Sequence, residues 1–416
     1  MNNTDSMKEI HLRGFAAVPW ESVLNRLLLE KHYDKKKRKS SRTLLWRLIR
    51  SCFTETGRYR LEQQHSQILF FISFIARKSV VDNFMKVRGL VNSDLLIKEE
   101  GYSRFSLWQG LRMMPLLVSW NKSVKVFSLD RSDRYGLLSE IVRLYRLHKE
   151  LEKLPSNYRL LVTFYDSFLP ESYGIEYFRL LSTESAVLQH GQFTSWRADN
   201  FFDCGIEFKT FKSDHFLAWN KYTIDEAVKS GIPKEKLYLA GIWSYIGTKR
   251  EVCRKNNNGV FGVVISHPSW ENENTVLIKA ANMISAKTGL KYYLKLHPNY
   301  AEDAYNSQVN EYYIGNVKKG IPMIEYTNLV DFSLIGSSSV FTELVFVDHD
   351  VYRYSSGLPN DKYEPVKKGK YFTSVEDLEQ KFDKLYKMPV SSELFDYLCS
   401  VSDVTESYKR FFEQFK

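Results

Sequence analysis

Two basic side chains and a row of hydroxyls stand at the ends of apolar runs in the later part of this chain. Lys295 and His297 close the run Tyr293-Leu-Lys-Leu-His297-Pro298. Gly336-Ser337-Ser338-Ser339 follows the run Phe332 to Ile335 and precedes a helix-like segment. Lys295 brings positive charge, and His297 can donate a hydrogen bond to a phosphate. A Ser-rich turn opening a helix offers backbone N–H groups to an anion. Polar groups just past the carboxyl ends of buried strands are where α/β folds put ligands. Together these residues predict a pocket for a phosphorylated ligand, most simply a nucleotide monophosphate or diphosphate.

Other residues extend this reading. His267-Pro268 is a second His-Pro pair, and proline pushes each preceding His into extended geometry at a strand end. A helix N-cap alone would explain one of the three serines. Glu343, about one helical turn past Ser339, could accept from ribose hydroxyls or serve as a capping-box Glu. Val187-Leu-Gln-His190-Gly191-Gln192 puts a His on the turn after a strand, where it could act as general base toward a hydroxyl. Gly191 would permit a tight bend there, with Gln192 beside it. Asp166 follows the preceding strand. Glu99-Glu100-Gly101 is an acidic pair in which one member could stay protonatable, although two exposed turn glutamates are the commoner case.

Several chemistries are absent from the sequence. It has no P-loop and no G-x-G-x-x-G fingerprint. No cluster has metal-ligand spacing, and Asp130-Arg-Ser-Asp133 is not a D-x-D placement. Neither a metal nor a cofactor is expected. The 4 Cys are scattered without C-x-x-C spacing, as reduced thiols would be.

The chain has 416 residues, 44% hydrophobic and 26% charged, which suits a soluble protein of two domains. Aromatics reach 15%, enough for sugar-stacking surfaces or simply an aromatic-rich core. The net charge of +10 is uneven. Lys35 to Lys39, Arg42, Arg47 and Arg50 crowd a stretch that also holds Leu27 to Leu29, Leu44, Leu45, Trp46, Leu48 and Ile49. Such a pattern over residues 27–50 suits an anionic membrane surface or a solvated basic helix. No nucleic-acid module accompanies the charge, so no nucleic-acid partner is expected. The N-terminus lacks a signal-peptide apolar region, and no apolar run is long enough to span a bilayer. A cytoplasmic protein, peripheral at the inner face of the membrane, is the expectation.

Strands and helices alternate along the chain. Strands are predicted at 68–75, 124–129, 160–165, 186–189, 215–219 and 237–240, and after residue 259 at 260–265, 292–296 and 332–335. Helices are predicted at 78–88, 137–153, 222–230, 275–288, 340–347 and 375–385. This order argues an α/β fold with doubly wound parallel sheets. Residues 249–259 form a polar stretch ending in a turn, the best linker. The expected organisation is a basic helical segment over 1–60, an N-terminal Rossmann-like domain over 61–248 and a C-terminal one over 259–416, with a cleft between the two domains.

Over about residues 160–372 the chain resembles the GT-B class of glycosyltransferases, in particular bacterial enzymes that build capsules, teichoic-acid-like polymers and lipopolysaccharide. Leu188-Gln-His190-Gly191 resembles the His-Gly turn of the CDP-glycerol glycerophosphotransferase and capsule-transferase group. Lys295-Leu-His297-Pro298 and Ser337 to Ser339 resemble the motifs that hold donor phosphates there and in bacterial sialyltransferases. The chain departs from the pattern in having Glu343 where Asp is usual and Gln189 where an aromatic often precedes the His. The resemblance implies a metal-independent transferase. Its second domain would bind a nucleotide-activated sugar or polyol through His267, Lys295, His297, Ser337, Ser338, Ser339 and Glu343. Its first domain would take a surface glycan or lipid-linked acceptor near Asp166, Gly191 and Gln192, with His190 as base. The alternatives are a sialyltransferase-like enzyme using Glu99 or Glu100 as base, a non-catalytic nucleotide-sugar-binding assembly protein, and a nucleotide-sugar epimerase.

Overall fold

The computed structural model of the chain describes residues 41–56, 58–73, 78–99, 103–125, 129–166, 168–189, 191, 211–247, 258–355, 369–389 and 391–416. The first sheet is built from β2 (Tyr59–Glu62), β3 (Ile68–Ile72), β4 (Asp94–Lys98), β6 (Leu160–Thr163), β7 (Glu184–Leu188), β8 (His215–Ala218) and β9 (Leu237–Leu239). Their order is β2-β4-β3-β6-β7-β8-β9. Only the edge strand β2 runs antiparallel to its neighbour. β1 (Thr54–Thr56) and β5 (Ser103–Phe105) form a separate antiparallel pair.

β3 shows why this sheet needs cover on both faces. All five of its residues, Ile-Leu-Phe-Phe-Ile, are buried, and alternate side chains point to opposite faces. Leu69 and Phe71 meet the helices Leu107–Val124 and Arg131–Leu151. Ile68, Phe70 and Ile72 meet the helix Lys78–Arg88 and the last helix of the chain, Val404–Glu413.

The second sheet contains β10 (Val260–Val264), β11 (Lys291–Lys295), β12 (Tyr313–Asn316), β13 (Phe332–Ile335), β14 (Asp350–Tyr354) and β15 (Lys370–Phe372). The order is β12-β11-β10-β13-β14-β15, with every pairing parallel. The helices Glu271–Thr288 and Val375–Lys387 cover one face. The short helices Met323–Thr327, Val340–Phe346 and Ser392–Leu398 cover the other. The chain is therefore α/β, with two Rossmann-like domains in the GT-B arrangement.

Three expectations need correction. Val124 ends a helix and does not begin a strand. Ser106 caps that helix by accepting from the Gln109 N–H at 3.3 Å, and Met113, Trp120 and Val124 are buried along it. Residues 126–128 lie outside the described residues. From residue 41 onward the expected N-terminal segment is part of the first domain, because Leu48 and Cys52 of the helix Ser41–Phe53 join its core. Residues 1–40, including the 27–40 half of the expected membrane surface, and the core of the expected linker at 248–257 lie outside the described residues.

The stretch 259–416 is also not one structural unit. Tyr408, Phe411 and Phe412 of the last helix lie in the core of the first domain. Phe412 approaches Phe70 with ring centroids 5.7 Å apart, and the Tyr408 hydroxyl donates to the Gly241 carbonyl at 3.3 Å. Each fully buried aromatic of this kind is worth about 1.5–3 kcal/mol, so the helix is firmly attached to the first domain. Gly241 has φ +90, and a Cβ there would stand 2.7 Å from Val404. The return of the chain thus requires glycine at that point.

Candidate functional site

The second sheet reverses its winding between β10 and β13, which are neighbours although β11 and β12 come between them in sequence. Such a switch point opens a crevice at the carboxyl ends of the strands. Val264 pairs with Lys295 on one side and with Ile335 on the other, and Ile335 pairs with Arg353. Lys295, Val264, Ile335 and Arg353 therefore form one row across four strands. His267, His297 and Ser337 follow two or three residues beyond it.

The two His-Pro histidines come together. The His267 and His297 rings have centroids 5.0 Å apart and meet edge to face. The Asn299 N–H donates to His297 Nδ1 at 3.2 Å. In the neutral ring this bond leaves the proton on Nε2, a donor suited to an anion. His267 is exposed and His297 half-buried.

The three serines do different work. The Ser337 N–H and hydroxyl each donate to the Glu273 carboxylate at 2.8 Å. Glu273 is buried in the first turn of the helix Glu271–Thr288. A Cβ on Gly336 would stand 2.5 Å from that carboxylate, so glycine permits the approach. Ser337 thereby ties the turn to the helix Glu271–Thr288. Ser338 Oγ accepts from the Val340 N–H at 3.4 Å, while Ser339 sits at the N-cap without a side-chain capping bond. Both are half-buried, as is Ser337.

Lys295 and Glu343 share the face of the sheet covered by the helix Val340–Phe346. Burial pushes the Glu343 carboxyl up to about 7, opposed by the Lys295 charge. Burial pulls the Lys295 ammonium below the usual lysine range, opposed by Glu343. The ammonium also lies 5.9 Å from the Tyr326 ring centroid. Behind that ring runs a buried chain: Tyr326 Oη and Ser333 Oγ are 2.9 Å apart, as are Ser333 Oγ and His349 Nε2. Burial lowers the His349 ring to about 3, so it is neutral near pH 7. A Cβ on Gly262 would stand 2.0 Å from the Tyr326 hydroxyl, which explains a glycine in the middle of β10.

In the first domain, Gln189 organises the carboxyl edge of β7. Its side-chain oxygen accepts from the Trp219 N–H at 2.6 Å. Its amide donates to the Gly191 carbonyl at 2.6 Å and to Thr223 Oγ1 at 3.0 Å. Its own carbonyl accepts from Trp243 Nε1 at 2.5 Å. His190, between these anchored neighbours, lies outside the described residues, as do Gln192 and Glu100. A Cβ at Gly191 would meet nothing within 4 Å, so no close contact demands glycine there. Asp166 is corrected from the acceptor side. It is buried and accepts from the Lys212 and Ser213 N–H groups at 2.9 and 3.3 Å, which fixes it as a loop anchor. Glu99 is half-buried, and its N–H donates to the Arg58 carbonyl at 2.7 Å.

Sequence reasoning passed over Glu273 and Arg353. An acid in a first helical turn ordinarily reads as a partner of the helix dipole, so Glu273 gave no signal of its tie to Ser337. Arg353 did give one, as a lone cation inside the strand Asp-Val-Tyr-Arg-Tyr. It is buried, and its guanidinium lies 4.9 Å from the Phe341 ring centroid. The domains also touch beside the site. Tyr245 stacks on Phe346 with centroids 3.6 Å apart, and its hydroxyl donates to the Glu343 carbonyl at 3.2 Å.

Among the described residues no group of three or more His, Cys, Asp or Glu could hold a metal ion. Nor is any helix among them long and apolar enough to cross a membrane.

No family model matches this sequence, and no curated protein matches it. Solved structures do match by fold. UDP-GlcNAc 2-epimerase from Methanocaldococcus jannaschii, in complex with UDP-GlcNAc and UDP, aligns at a TM-score of 0.53 and 12% identity, covering 83% of this chain and 99% of that one. UDP-GlcNAc 2-epimerase from Neisseria meningitidis, bound to UDP-GlcNAc, aligns at 0.51 and 12%, covering 83% and 98%. The wall teichoic acid polymerase TagF aligns at a TM-score of 0.42 and 10% identity, covering 96% of this chain and 98% of its own. At these identities the likeness is one of fold, and the fold is GT-B.

Proposed function

We propose that the chain is a glycosyltransferase, or a polyol-phosphate transferase, that takes a nucleotide-activated donor in the second domain. The observation that carries this reading is the meeting of His267 and His297 at the carboxyl ends of β10 and β11. It lies at a switch point whose next strand ends in the serine turn. Lys295, the two histidines, Ser338 and Ser339 would balance charge developing on the departing phosphate, where electrostatic help has most effect. Glu343 would meet the ribose or phosphate while protonated. The positive charge comes from side chains, so no metal is required. His190 would take the proton of the acceptor hydroxyl, on a surface glycan or lipid-linked glycan at the inner face of the membrane. UDP-sugar binding by the two epimerases supports a nucleotide-sized ligand in a fold of this kind.

Calorimetry with CMP, CDP, UDP and GDP tests the donor site. At least one nucleotide should bind, and His297→Ala and Ser338→Ala should each weaken it about tenfold, the loss of one hydrogen bond to a charged group. His190→Ala should keep binding and lose turnover. No binding by any of the four nucleotides sinks the reading. Conversion of a nucleotide sugar without added acceptor would indicate an epimerase instead. Activity that survives His190→Ala but not Glu100→Ala would move the base to the acidic pair.

A further inference from the structure

We propose that the helix Leu107–Val124, with Phe105 just before it, seats the first domain on an anionic lipid bilayer. This helix has two unlike faces. Gly110, Met113, Trp120 and Val124 are buried on one. On the other, Leu107, Trp108, Leu111 and Val118 are 58%, 76%, 50% and 58% exposed, and Phe105 is 69% exposed. Their spacing sets them along one stripe of the helix. Monomer surfaces seldom leave so many large apolar side chains together, and such patches mark contact sites.

Charge selects the occupant. Residues 103–125 hold Arg104, Arg112, Lys122 and Lys125 and no Asp or Glu, and all four basic residues are exposed. The neighbouring helix Ser41–Phe53 also lacks acids and exposes Arg42, Arg50 and Trp46. A tryptophan-bearing apolar stripe rimmed by basic residues is the pattern of an interfacial helix. A second copy of the chain would set this basic rim against itself. The chain's own Lys35-Lys-Lys-Arg-Lys39 carries the same sign. Anionic lipid complements both the stripe and its rim.

The mount is rigid. β1 pairs with β5 through Thr54 and Phe105, and the Ser106 N–H donates to the Phe53 carbonyl at 2.8 Å. The Phe53 ring stacks on Phe105 with centroids 6.1 Å apart. A Cβ on Gly110 would stand 1.9 Å from the Phe53 ring, so the two helices are keyed together. The proposed face is centred on Trp108 and takes in the 41–50 part of the expected membrane surface; its 27–40 part lies outside the described residues.

Flotation of the full chain with vesicles tests this, independently of nucleotide binding or turnover. One set is phosphatidylcholine alone, and the other is phosphatidylcholine and phosphatidylglycerol in equal parts. The protein should float with the anionic set at least about tenfold better than with the neutral set, and less so as salt rises. Trp108→Glu with Leu111→Glu should lower flotation about tenfold, as should Arg104→Glu with Arg112→Glu, with unchanged thermal unfolding. These side chains are exposed, so both variants keep the fold. No flotation of the natural chain, or equal flotation of the variants, overturns the proposal. So does a dimer in sedimentation that the Trp108→Glu variant converts to monomer, which would assign the face to a second copy.

Discussion

Glu171 and Glu273 make the same tie in the two domains, with the roles of the earlier and later switch-point strands exchanged. Each is the third residue of a helix that follows a central strand, β6 for Glu171 and β10 for Glu273. Each accepts from both the N–H and the hydroxyl of a serine just past the adjacent strand across the switch point. Ser73 serves Glu171 at 2.7 and 2.7 Å, and Ser337 serves Glu273 at 2.8 and 2.8 Å. A carboxylate thus ties the two strand ends at the crevice floor in both halves. Burial raises the Glu171 carboxyl above the usual range, opposed by the Ser73 bonds and Lys98.

The first prediction concerns Glu273. Glu273→Ala leaves the Ser337 N–H without its acceptor and should cost about 1–3 kcal/mol of stability. Urea unfolding reads that cost. Nucleotide affinity should fall with it, because Ser338 and Ser339 ride on the same turn. Affinity unchanged in a destabilised variant would show that the turn does not carry the ligand.

The second concerns pH. Burial pushes the folded Glu343 carboxyl up to about 7, from the ordinary glutamate value of 4.5. A raised folded value means the contribution is fully present below about 4.5 and is lost as pH rises through about 7. Ionisation should therefore cost the natural chain on the order of 2–3 kcal/mol by pH 8. Glu343→Gln should flatten the stability profile between those limits. The same substitution should remove any weakening of nucleotide binding above pH 7. A profile identical to that of the natural chain would mean the carboxyl titrates normally.

The third concerns Gln189, whose amide joins the loops after β7 and β8. Gln189→Leu keeps the size and deletes every side-chain bond, leaving the Trp219 N–H unpaired. It should destabilise by about 2–3 kcal/mol and lower turnover more than nucleotide affinity. Turnover at the natural level would detach this turn from catalysis.

The fourth concerns the last helix. Gly241→Val would force a branched side chain at φ +90 against Val404, and should cost more than about 2 kcal/mol. Thermal unfolding measures it. A neutral result would mean the helix can withdraw without loss.

The strands of both sheets were legible where an apolar run stood alone, as in β3, β6, β10 and β13. The row of Lys295, His297 and the serines was legible because basic and hydroxyl residues interrupt such runs at their ends. The helix Leu107–Val124 was not, because its exposed Leu107, Trp108 and Leu111 blur the apolar periodicity that marks a buried face. Glu273 and Gln189 were hidden for another reason. Their partners, Ser337 and Trp219, lie 64 and 30 residues away in sequence, and one chain read in order does not give such distances. The destination of the helix Val404–Glu413 was equally invisible, since its amphipathic pattern says that it is covered but not by what.

That helix has a consequence for biosynthesis. A ribosome releases the strands of the first sheet long before it reaches Tyr408, Phe411 and Phe412. Until residues 404–413 are translated, Ile68, Phe70 and the other apolar side chains on that side lack this cover. The first sheet must therefore wait for the helix Val404–Glu413, and a nascent chain stalled before residue 404 should draw on chaperones that a chain carrying this helix does not need.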